Sequence, residues 1–218
     1  MSSATARDLA PGSRWGREQF LRGAVEVARA LLGCTLVALD EQGPRAGVVV
    51  EVEAYLQDDP ASHSFRGPTP RNSSMWAQGG VLYVYRSHGL HSCANFATGP
   101  AGRGEAVLVR ALRPVEGLDR MRGTRLAARP GATPADEELC RGPGNLARAL
   151  WISSSDDGLD ACAPDARVFV LQRAAPPPSL RGARIGIARA ADLPLRWFVA
   201  GERCVSAHKR GAPDQGAD

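Results

Sequence analysis

Alternating apolar and polar positions mark several segments of the chain as β-strands. In Gly47–Tyr55, strict alternation predicts one face that carries Val49, Glu51, Glu53 and Tyr55 and another that carries Val48, Val50, Val52 and Ala54. Carboxylates on an otherwise apolar strand are costly to bury unless they are solvated, paired with cations or used in chemistry. This strand is therefore the first place to look for a functional site.

The rest of the pattern predicts a mixed α+β order without repeats. A helix is predicted over Phe20–Leu32, with Gly33 as its stop. Leu56–Gly80 is predicted as a long ordered loop with one short helix, a type of segment that is often functional. Cys34–Leu39 is predicted to form a hairpin with Gly47–Tyr55, and Val81–Arg86 a second hairpin with Leu90–Phe96. Further strands are predicted at Ala106–Leu112, Val168–Gln172, Arg184–Ala188 and Leu195–Val199. Further helices are predicted at Pro114–Arg125 and within Asp136–Trp151, where Gly142-Pro143-Gly144 interrupts or begins the helix.

Length and composition indicate one globular domain. A chain of 218 residues with 44% hydrophobic content can bury one sizeable core. We predict disordered tails at residues 1–17 and 208–218 around a domain at 18–207. No apolar stretch reaches the roughly 18 residues that a bilayer requires, and the start lacks the order of a signal peptide. We therefore expect a soluble cytoplasmic protein without a membrane partner.

Charge and cysteine content narrow the classes of partner and chemistry. The net charge of +4 and the pI near 9.0 favour a polyanionic partner. Five scattered cysteines without a Cys-x-x-Cys pair argue against a disulfide framework or a zinc ribbon. Lys209 is the only lysine among the 27 basic residues, so only Lys209 and the amino terminus could supply an amine for Schiff-base chemistry.

Several residues have the chemistry of a hydrolytic site for a planar ring. Glu53 beside Tyr55 could act as a general base in a cleft, although an exposed strand face would also explain both residues. Tyr83 and Tyr85 share a strand face before the His88-Gly89 tip of a hairpin, and Asn95 follows on the return strand. These groups could hold a planar ring, but Tyr83 could equally belong to the core.

Linked motifs in this order and spacing resemble the alkyladenine (3-methyladenine) DNA glycosylase family. The resemblance runs from about Phe20 to Ser206. It rests on Ala30–Gly33, Val52–Tyr55, Ala61–His63, Thr69–Asn72, Leu82–Tyr85, Asn95, Val109–Leu112, Leu139–Pro143 and Arg184–Ile187. It implies a compact single-domain α/β fold with a curved antiparallel sheet and a protruding β-hairpin that intercalates into DNA.

The resemblance also implies an activity and its catalytic residues. Family members flip alkylated or deaminated purines out of the duplex and excise them; examples are 3-methyladenine, 7-methylguanine, ethenoadenine and hypoxanthine. By resemblance, Glu53 deprotonates a water aimed at C1′, and Arg110 and the backbone carbonyl of Ile185 help to hold that water. No metal or other cofactor is implied.

Further positions acquire roles by the same resemblance. Tyr55, His63 and Tyr85 sandwich the flipped base, Leu108 also contacts it, the amide of His63 reads the purine edge, and Asn95 crowds the 2-amino group of guanine. The positions expected to contact DNA are Arg66, Thr69, Arg71, Met75, His88, Leu90, His91 and Gly186.

The chain departs from the family pattern at the hairpin tip. His88 stands where vertebrate members carry a tyrosine wedge that fills the gap left by the flipped nucleotide. Histidine has less apolar area and can change charge near neutral pH, so we expect a weaker and more pH-sensitive wedge. His88, His91 and Cys93 also suggest a metal site, but their spacing matches no recognised one.

The expected partner is double-stranded DNA that contains damaged purines. The scarcity of lysine predicts a monofunctional enzyme that leaves an intact abasic site for downstream processing enzymes. The resemblance suggests a monomer with a bacterial, nucleoid-associated activity. Two rival readings remain: an inverting O-glycosidase that uses Glu51 and Glu53, and a basic DNA-binding module without catalysis.

Overall fold

The structure is a computed structural model that describes residues 14–128, 130–131, 133–206 and 212–213. Most of the two predicted tails lies outside these residues. Folded structure nevertheless begins by Arg14, because Arg14 bridges to Leu171 and the amide of Trp15 donates to the carbonyl of Val170. Trp15 is buried in the core, so the folded part starts earlier than the predicted boundary at residue 18.

The secondary structure alternates short helices with antiparallel strands. The helices are α1 (Arg17–Phe20), α2 (Ala24–Leu31), α3 (Leu118–Ala128), α4 (Asp136–Leu139) and α5 (Pro143–Ala149), with 3-10 helices at Ser73–Trp76 and Ser154–Asp156. The strands are β1 (Thr35–Asp40), β2 (Gly43–Tyr55), β3 (Leu82–Ser87), β4 (His91–Ala97), β5 (Ala106–Glu116), β6 (Val168–Leu171), β7 (Ser179–Gly182), β8 (Arg196–Val199) and β9 (Ala212–Pro213).

The strands of the described residues form one curled antiparallel sheet around β2. Its main path runs β3-β4-β5-β2-β8-β7-β9, and β1 pairs with both β2 and β6. β5 covers one edge of β2 along most of its length, whereas the other edge pairs first with β1 and then, from Glu51, with β8. The carboxylate-bearing end of β2 therefore lies in the interior of the sheet.

Helix α2 covers the core face of this sheet. Its residues Ala24, Val27, Ala28 and Leu31 are fully buried and pack toward β2 and β5. Gly33 follows the helix with φ of 82°, and a side chain there would meet Pro177. The prediction of Gly33 as the helix stop is confirmed.

The predicted strict alternation of side chains between the two faces of β2 is wrong at one point, Val50. Two successive register shifts in the pairing of β2 with β5 leave Val50 of β2 and Arg110 of β5 without a partner in that pairing. Each of these positions is a β-bulge. As a result Val49 packs in the main core with Val52, on the side opposite to the carboxylates, while Val50 joins a separate small cluster. The bulges thus place both acidic side chains and Arg110 together on one face of the sheet.

Other element boundaries also differ from the predictions. The predicted strand at 184–188 is a loop, and the strand lies earlier, at Ser179–Gly182. β5 continues to Glu116, so the following helix begins at Leu118 instead of Pro114. The predicted helix over 20–32 is divided after Phe20, and Gly142, with φ of 89°, separates α4 from α5.

The predicted second hairpin is present as β3 and β4. Ser87 pairs with His91, and the amide of Leu90 donates to the carbonyl of Ser87 at 3.0 Å across the tip. His88 and Gly89 both have positive φ, at 49° and 70°, as primed hairpin turns require. Within the described ranges, no helix is long and apolar enough to cross a membrane.

Candidate active site

A cleft of about 500 Å³ opens between the β3–β4 hairpin, the long loop after β2 and the loop between β7 and β8. The confirmed long loop, with its 3-10 helix at Ser73–Trp76, forms one side. Residues that line the cleft include Tyr55, His63, Thr69, Arg71, Asn72, Met75, Tyr83, Tyr85, Arg86, Ser87, His88, Asn95, Gly186 and Ile187. Many of the predicted site residues therefore meet in one place.

Glu53 lies fully buried directly behind Tyr55, which lines the cleft. The Tyr55 hydroxyl donates to Glu53 Oε2 at 2.8 Å. The backbone N–H of Ile185 donates to Glu53 Oε1 at 2.8 Å, and Arg110 Nη1 lies 3.2 Å from the same oxygen. These donors fix the carboxylate from three different elements of the fold.

The neighbouring Glu51 is also fully buried, but it belongs to a structural ion cluster. Arg196 Nη1 donates to Glu51 Oε1 at 2.8 Å, and the amide and hydroxyl of Ser206 donate to Oε2 at 3.0 and 2.6 Å. Arg110 Nε lies 3.5 Å from Glu51 Oε1 and so links the two carboxylates. Glu51 is thus a paired supporting group and is not solvated.

The protonation behaviour of Glu53 follows from this environment. Burial raises the pKa of the Glu53 carboxyl, and the nearby Arg110, Ile185 amide and Tyr55 hydroxyl counteract only part of that rise. The pKa of Tyr55 is raised by burial and by the neighbouring Glu53 carboxylate, so the phenol keeps its proton and remains a donor. A carboxylate with a raised pKa is better matched to proton abstraction near neutral pH.

Aromatic rings form the walls of the cleft. The His63 and Tyr85 rings are in edge-to-face contact, with centroids 4.5 Å apart and planes at 83°. Because these two rings touch, they form one aromatic surface, and Tyr55 adds a third ring to the lining of the cleft. Aromatic surfaces of this kind suit a flat ring.

His63 is oriented by a hydrogen bond to its Nδ1. Its partner is the Tyr83 hydroxyl at 2.8 Å. Loss of contact with water and, to a smaller extent, the charge of Arg71 lower the pKa of His63, which favours the neutral ring. Tyr83 is buried yet lines the cleft, so it contributes to both the core and the site.

Asn95 and Leu108 lie on the strands that form the floor of the cleft. The Asn95 amide nitrogen donates to the carbonyls of Tyr83 and Cys93, at 2.9 and 3.2 Å. Leu108 pairs with Asn95 on one side and with Glu53 on the other. Leu108 therefore lies in the sheet between Asn95, which is predicted to recognise the base, and Glu53, which is predicted to be catalytic.

The sequence did not reveal the groups that hold Tyr55 in place. The Arg184 guanidinium lies 4.6 Å from the centre of the Tyr55 ring and is fully buried. Asp59 pairs with Arg184 through both carboxylate oxygens, and Arg184 also donates to the carbonyl of Ala54. Arg184 belongs to a family-like motif that could have drawn attention to it, but Asp59 lies in a loop without any pattern.

The predicted DNA-contacting positions occupy different parts of the site. Arg66, Thr69 and Arg71 are exposed on the long loop, and Gly186 lies at the opposite rim. Met75 is 2% exposed and packs against Tyr83, so it belongs to the interior wall instead of the outer surface. His88, Leu90 and His91 lie at the exposed end of the β3–β4 hairpin.

The described residues contain no group of three or more His, Cys, Asp or Glu side chains that could hold a metal ion. All five cysteines are free; Cys162 is partly exposed and the other four are buried.

An aromatic cleft with a buried, donor-held carboxylate behind it is typical of an enzyme active site. Comparison with known proteins gives the particular family. Residues 18–203 match the methylpurine-DNA glycosylase family. The chain belongs to this family of DNA repair hydrolases.

Relatives with high identity support the assignment. A protein of Burkholderia lata is 48% identical over 199 residues, which cover 90% of this chain and 92% of that protein. One from Methanoculleus marisnigri is 47% identical, with 86% and 95% covered, and one from Rhodopseudomonas palustris is 45% identical, with 86% and 85% covered. All three carry the provisional name 3-methyladenine DNA glycosylase.

Proposed function

We propose that this protein excises alkylated or deaminated purines from duplex DNA by hydrolysis. The observation that carries the proposal is Glu53, a fully buried carboxylate held by Tyr55, Ile185 and Arg110 directly behind an aromatic cleft. A fixed carboxylate can aim a water molecule at C1′ of a nucleotide whose base occupies the cleft. Substrates of this kind are 3-methyladenine, 7-methylguanine, ethenoadenine and hypoxanthine.

The hydrolytic step uses only groups of this chain and one water. Glu53 takes a proton from the water, whose oxygen forms the new bond to C1′. The C1′–N9 bond breaks and its electron pair leaves with the purine. Arg110 and the carbonyl of Ile185 help to hold the water, a role that the position of Arg110 beside Glu53 supports. The product is an abasic site.

The walls of the cleft fit the recognition of a flipped base. The three rings expected to sandwich the base, Tyr55, His63 and Tyr85, all line the cleft, as does Asn95. Leu108 is a buried neighbour of Asn95 in the sheet. Asn95 uses its amide nitrogen on backbone carbonyls, which fixes the side chain where it can crowd the 2-amino group of guanine. Normal guanine would then be rejected by contact.

The nature of the leaving base should govern the relative rates. A cationic alkylpurine leaves as a neutral base and needs no further proton. Hypoxanthine is neutral, and the described cleft residues include no carboxylic acid that is placed to protonate it. We therefore propose that charged lesions are excised more readily than hypoxanthine.

The surroundings of the cleft fit a DNA surface. Exposed basic residues at its rim, including Arg66 and Arg71, can contact phosphates, and the net charge of +4 favours binding to a polyanion. We propose that His88 at the hairpin tip enters the gap left by the flipped nucleotide. As the family resemblance implies, we propose that the protein acts as a monomer that hands its abasic product to processing enzymes.

The O-glycosidase alternative finds no support in the geometry. It requires two carboxylates that face one substrate from opposite sides. Glu51 is saturated by Arg196 and Ser206 and lies on the same strand face as Glu53. The alternative of a DNA-binding module leaves the burial of Glu53 behind the cleft without a function.

One experiment tests the proposal. Duplex oligonucleotides that carry ethenoadenine or hypoxanthine are incubated with wild type or Glu53→Gln, and abasic sites are then cleaved with alkali. We expect lesion-specific strand breaks with wild type and none with Glu53→Gln, although the variant still binds the duplex. Equal cleavage by both proteins would refute the role of Glu53, and binding by wild type without any cleavage would favour the binding module.

A further inference from the structure

A second concavity, of about 290 Å³, lies on the other side of the β3–β4 hairpin from the active-site cleft. It is lined by Leu90, His91, Ser92, Thr124, Gly144, Arg148, Trp151, Ile152 and Ser153. Ser87 and His88 of the same hairpin line the cleft. The hairpin tip thus separates two adjoining spaces. We call the second one the Trp151 groove.

Trp151 is an unusual residue at its position. Helix α5 ends in a Schellman motif, because the amide of Ile152 donates to the carbonyl of Ala147 and that of Trp151 to the carbonyl of Arg148. The motif places Trp151 at φ of 57°, a left-handed conformation that glycine usually occupies. A bulky residue with positive φ is strained, and such strain is often retained for function.

The Trp151 side chain is presented to solvent instead of packing inside. It is 61% exposed, and Leu90 across the groove is 69% exposed. The Arg45 guanidinium lies 5.7 Å from the Trp151 ring, and Arg167 donates to the Trp151 carbonyl at 3.0 Å. The ring is therefore anchored at the surface, which is the arrangement of a stacking platform.

The lining of the groove fits a nucleic-acid ligand. Arg148 provides a positive charge, Ser153 provides a hydroxyl group, and the lining residues that the structure describes include no carboxylate. His91 packs so tightly against Gly144 that a side chain at Gly144 would come within 2.9 Å of it. The groove is thus continuous with the exposed end of the hairpin that is proposed to enter DNA.

We propose that Trp151 stacks on the base of the complementary strand that loses its partner when the damaged nucleotide is flipped. This inference rests on the proposed function. With the flipped base in the cleft and the hairpin tip in the gap, the unpaired base lies on the other side of the tip, where the groove begins. Trp151 provides the π-face for that base, and Arg148 can contact its phosphate.

The test is a double-mutant cycle between the protein and the DNA. One duplex carries a tetrahydrofuran abasic analogue at the lesion position opposite thymine, and the other carries tetrahydrofuran on both strands, so that the opposite base is missing. Dissociation constants are measured by fluorescence anisotropy for wild type, Trp151→Gly and Trp151→Phe. Since the effect of stacking on an aromatic residue is well above the error of such a measurement, Trp151→Gly should weaken binding about 5- to 150-fold on the first duplex only.

Trp151→Gly is a favourable variant because glycine suits the positive φ. Its thermal unfolding midpoint should equal or exceed that of wild type, and Trp151→Phe should retain most of the affinity. Equal losses on both duplexes, or no loss on either, would overturn the stacking role. Excision of ethenoadenine by wild type is measured in parallel, because failure of that reaction would reject the proposed function, whereas failure of the cycle alone would reject only the Trp151 groove.

Discussion

At the scale of single residues, the environment of Glu53 predicts the pH dependence of excision. The carboxylate must be ionised to act as a base, and burial raises its pKa above that of an ordinary glutamate. Activity should therefore fall with decreasing pH at a higher pH than the value of about 4.3 typical of a free glutamate. Single-turnover rates, measured with saturating enzyme across the acid range, give this fall in activity, the acid limb of the pH profile.

Tyr55→Phe provides the matched control for that prediction. It keeps the aromatic wall but removes the hydroxyl that donates to Glu53 and lowers its pKa. The acid limb should shift to higher pH relative to wild type on the same duplex, so that any titration of the DNA cancels. An unchanged limb would mean that Glu53 does not control the pH dependence.

Substitution of Glu51 should mainly lower stability, whereas substitution of Glu53 should mainly lower the rate of excision. Glu51→Gln removes the buried anion that pairs with Arg196. The free energy of unfolding, measured by urea titration, should therefore fall by on the order of 3 kcal/mol. Its excision rate per folded molecule should fall far less than that of Glu53→Gln. In Glu53→Gln the loss of stability should be smaller, because burial already disfavours the charged form. Comparable rate losses in both variants would contradict this division.

Sequence alone identified much of the site at this scale. The run Val52–Tyr55 and the polar groups around it suggested a base next to an aromatic ring. Tyr55 does line the cleft and bind Glu53, and the role of Glu53 as the base stays a prediction. The support of Glu51 by Ser206 and of Tyr55 by Asp59 could not be read from the sequence, because these partners are separated from their targets in the chain or lie in loops without periodicity.

At the scale of elements, the β3–β4 hairpin carries the next prediction. His88→Ala removes the ring at the tip and should weaken binding of a lesion duplex about tenfold, with a parallel loss of excision under subsaturating conditions. The hairpin itself should persist, since its strands are held by pairing from Leu82–Phe96 to Ser87–His91.

His88→Asn is the matched control for backbone effects. Asparagine tolerates the positive φ of this position but lacks an aromatic ring, so it should behave like alanine. Both variants should act on a single-stranded lesion oligonucleotide as wild type does, because no gap in a duplex has to be filled. Full duplex activity in both variants would show that His88 is not the wedge.

Element types were more predictable than their ends. Periodicity located both hairpins, and Gly33 ended α2, because these signals are local. The bulges at Val50 and Arg110 arise from pairing between two distant strands, so alternation along one strand could not reveal them. The loop at 184–188 looked like a strand by composition, but it instead turns its backbone amide toward Glu53.

At the scale of the whole molecule, the sequence indicated the class of fold but not how the sheet closes around β2. The change of partner from β1 to β8 along one edge of β2 brings the 183–187 loop beside Glu53. That arrangement depends on contacts between residues more than a hundred positions apart, such as Glu51 with Arg196. Only the family resemblance suggested that Arg184–Ile187 belongs to the site.

The distribution of basic residues over the whole chain leads to the last prediction. Lys209 is the only lysine, it lies outside the described residues, and the other basic side chains are arginines that cannot form an imine with the opened sugar. Strand cleavage by β-elimination requires such an imine. Borohydride should therefore trap no covalent protein–DNA adduct during excision, and strand breaks should appear only after alkali. A bifunctional glycosylase on the same duplex serves as the positive control. A trapped adduct would show that Lys209 or the amino terminus reaches the abasic site, and its loss in Lys209→Arg would assign it to Lys209; in either case the enzyme would not be monofunctional.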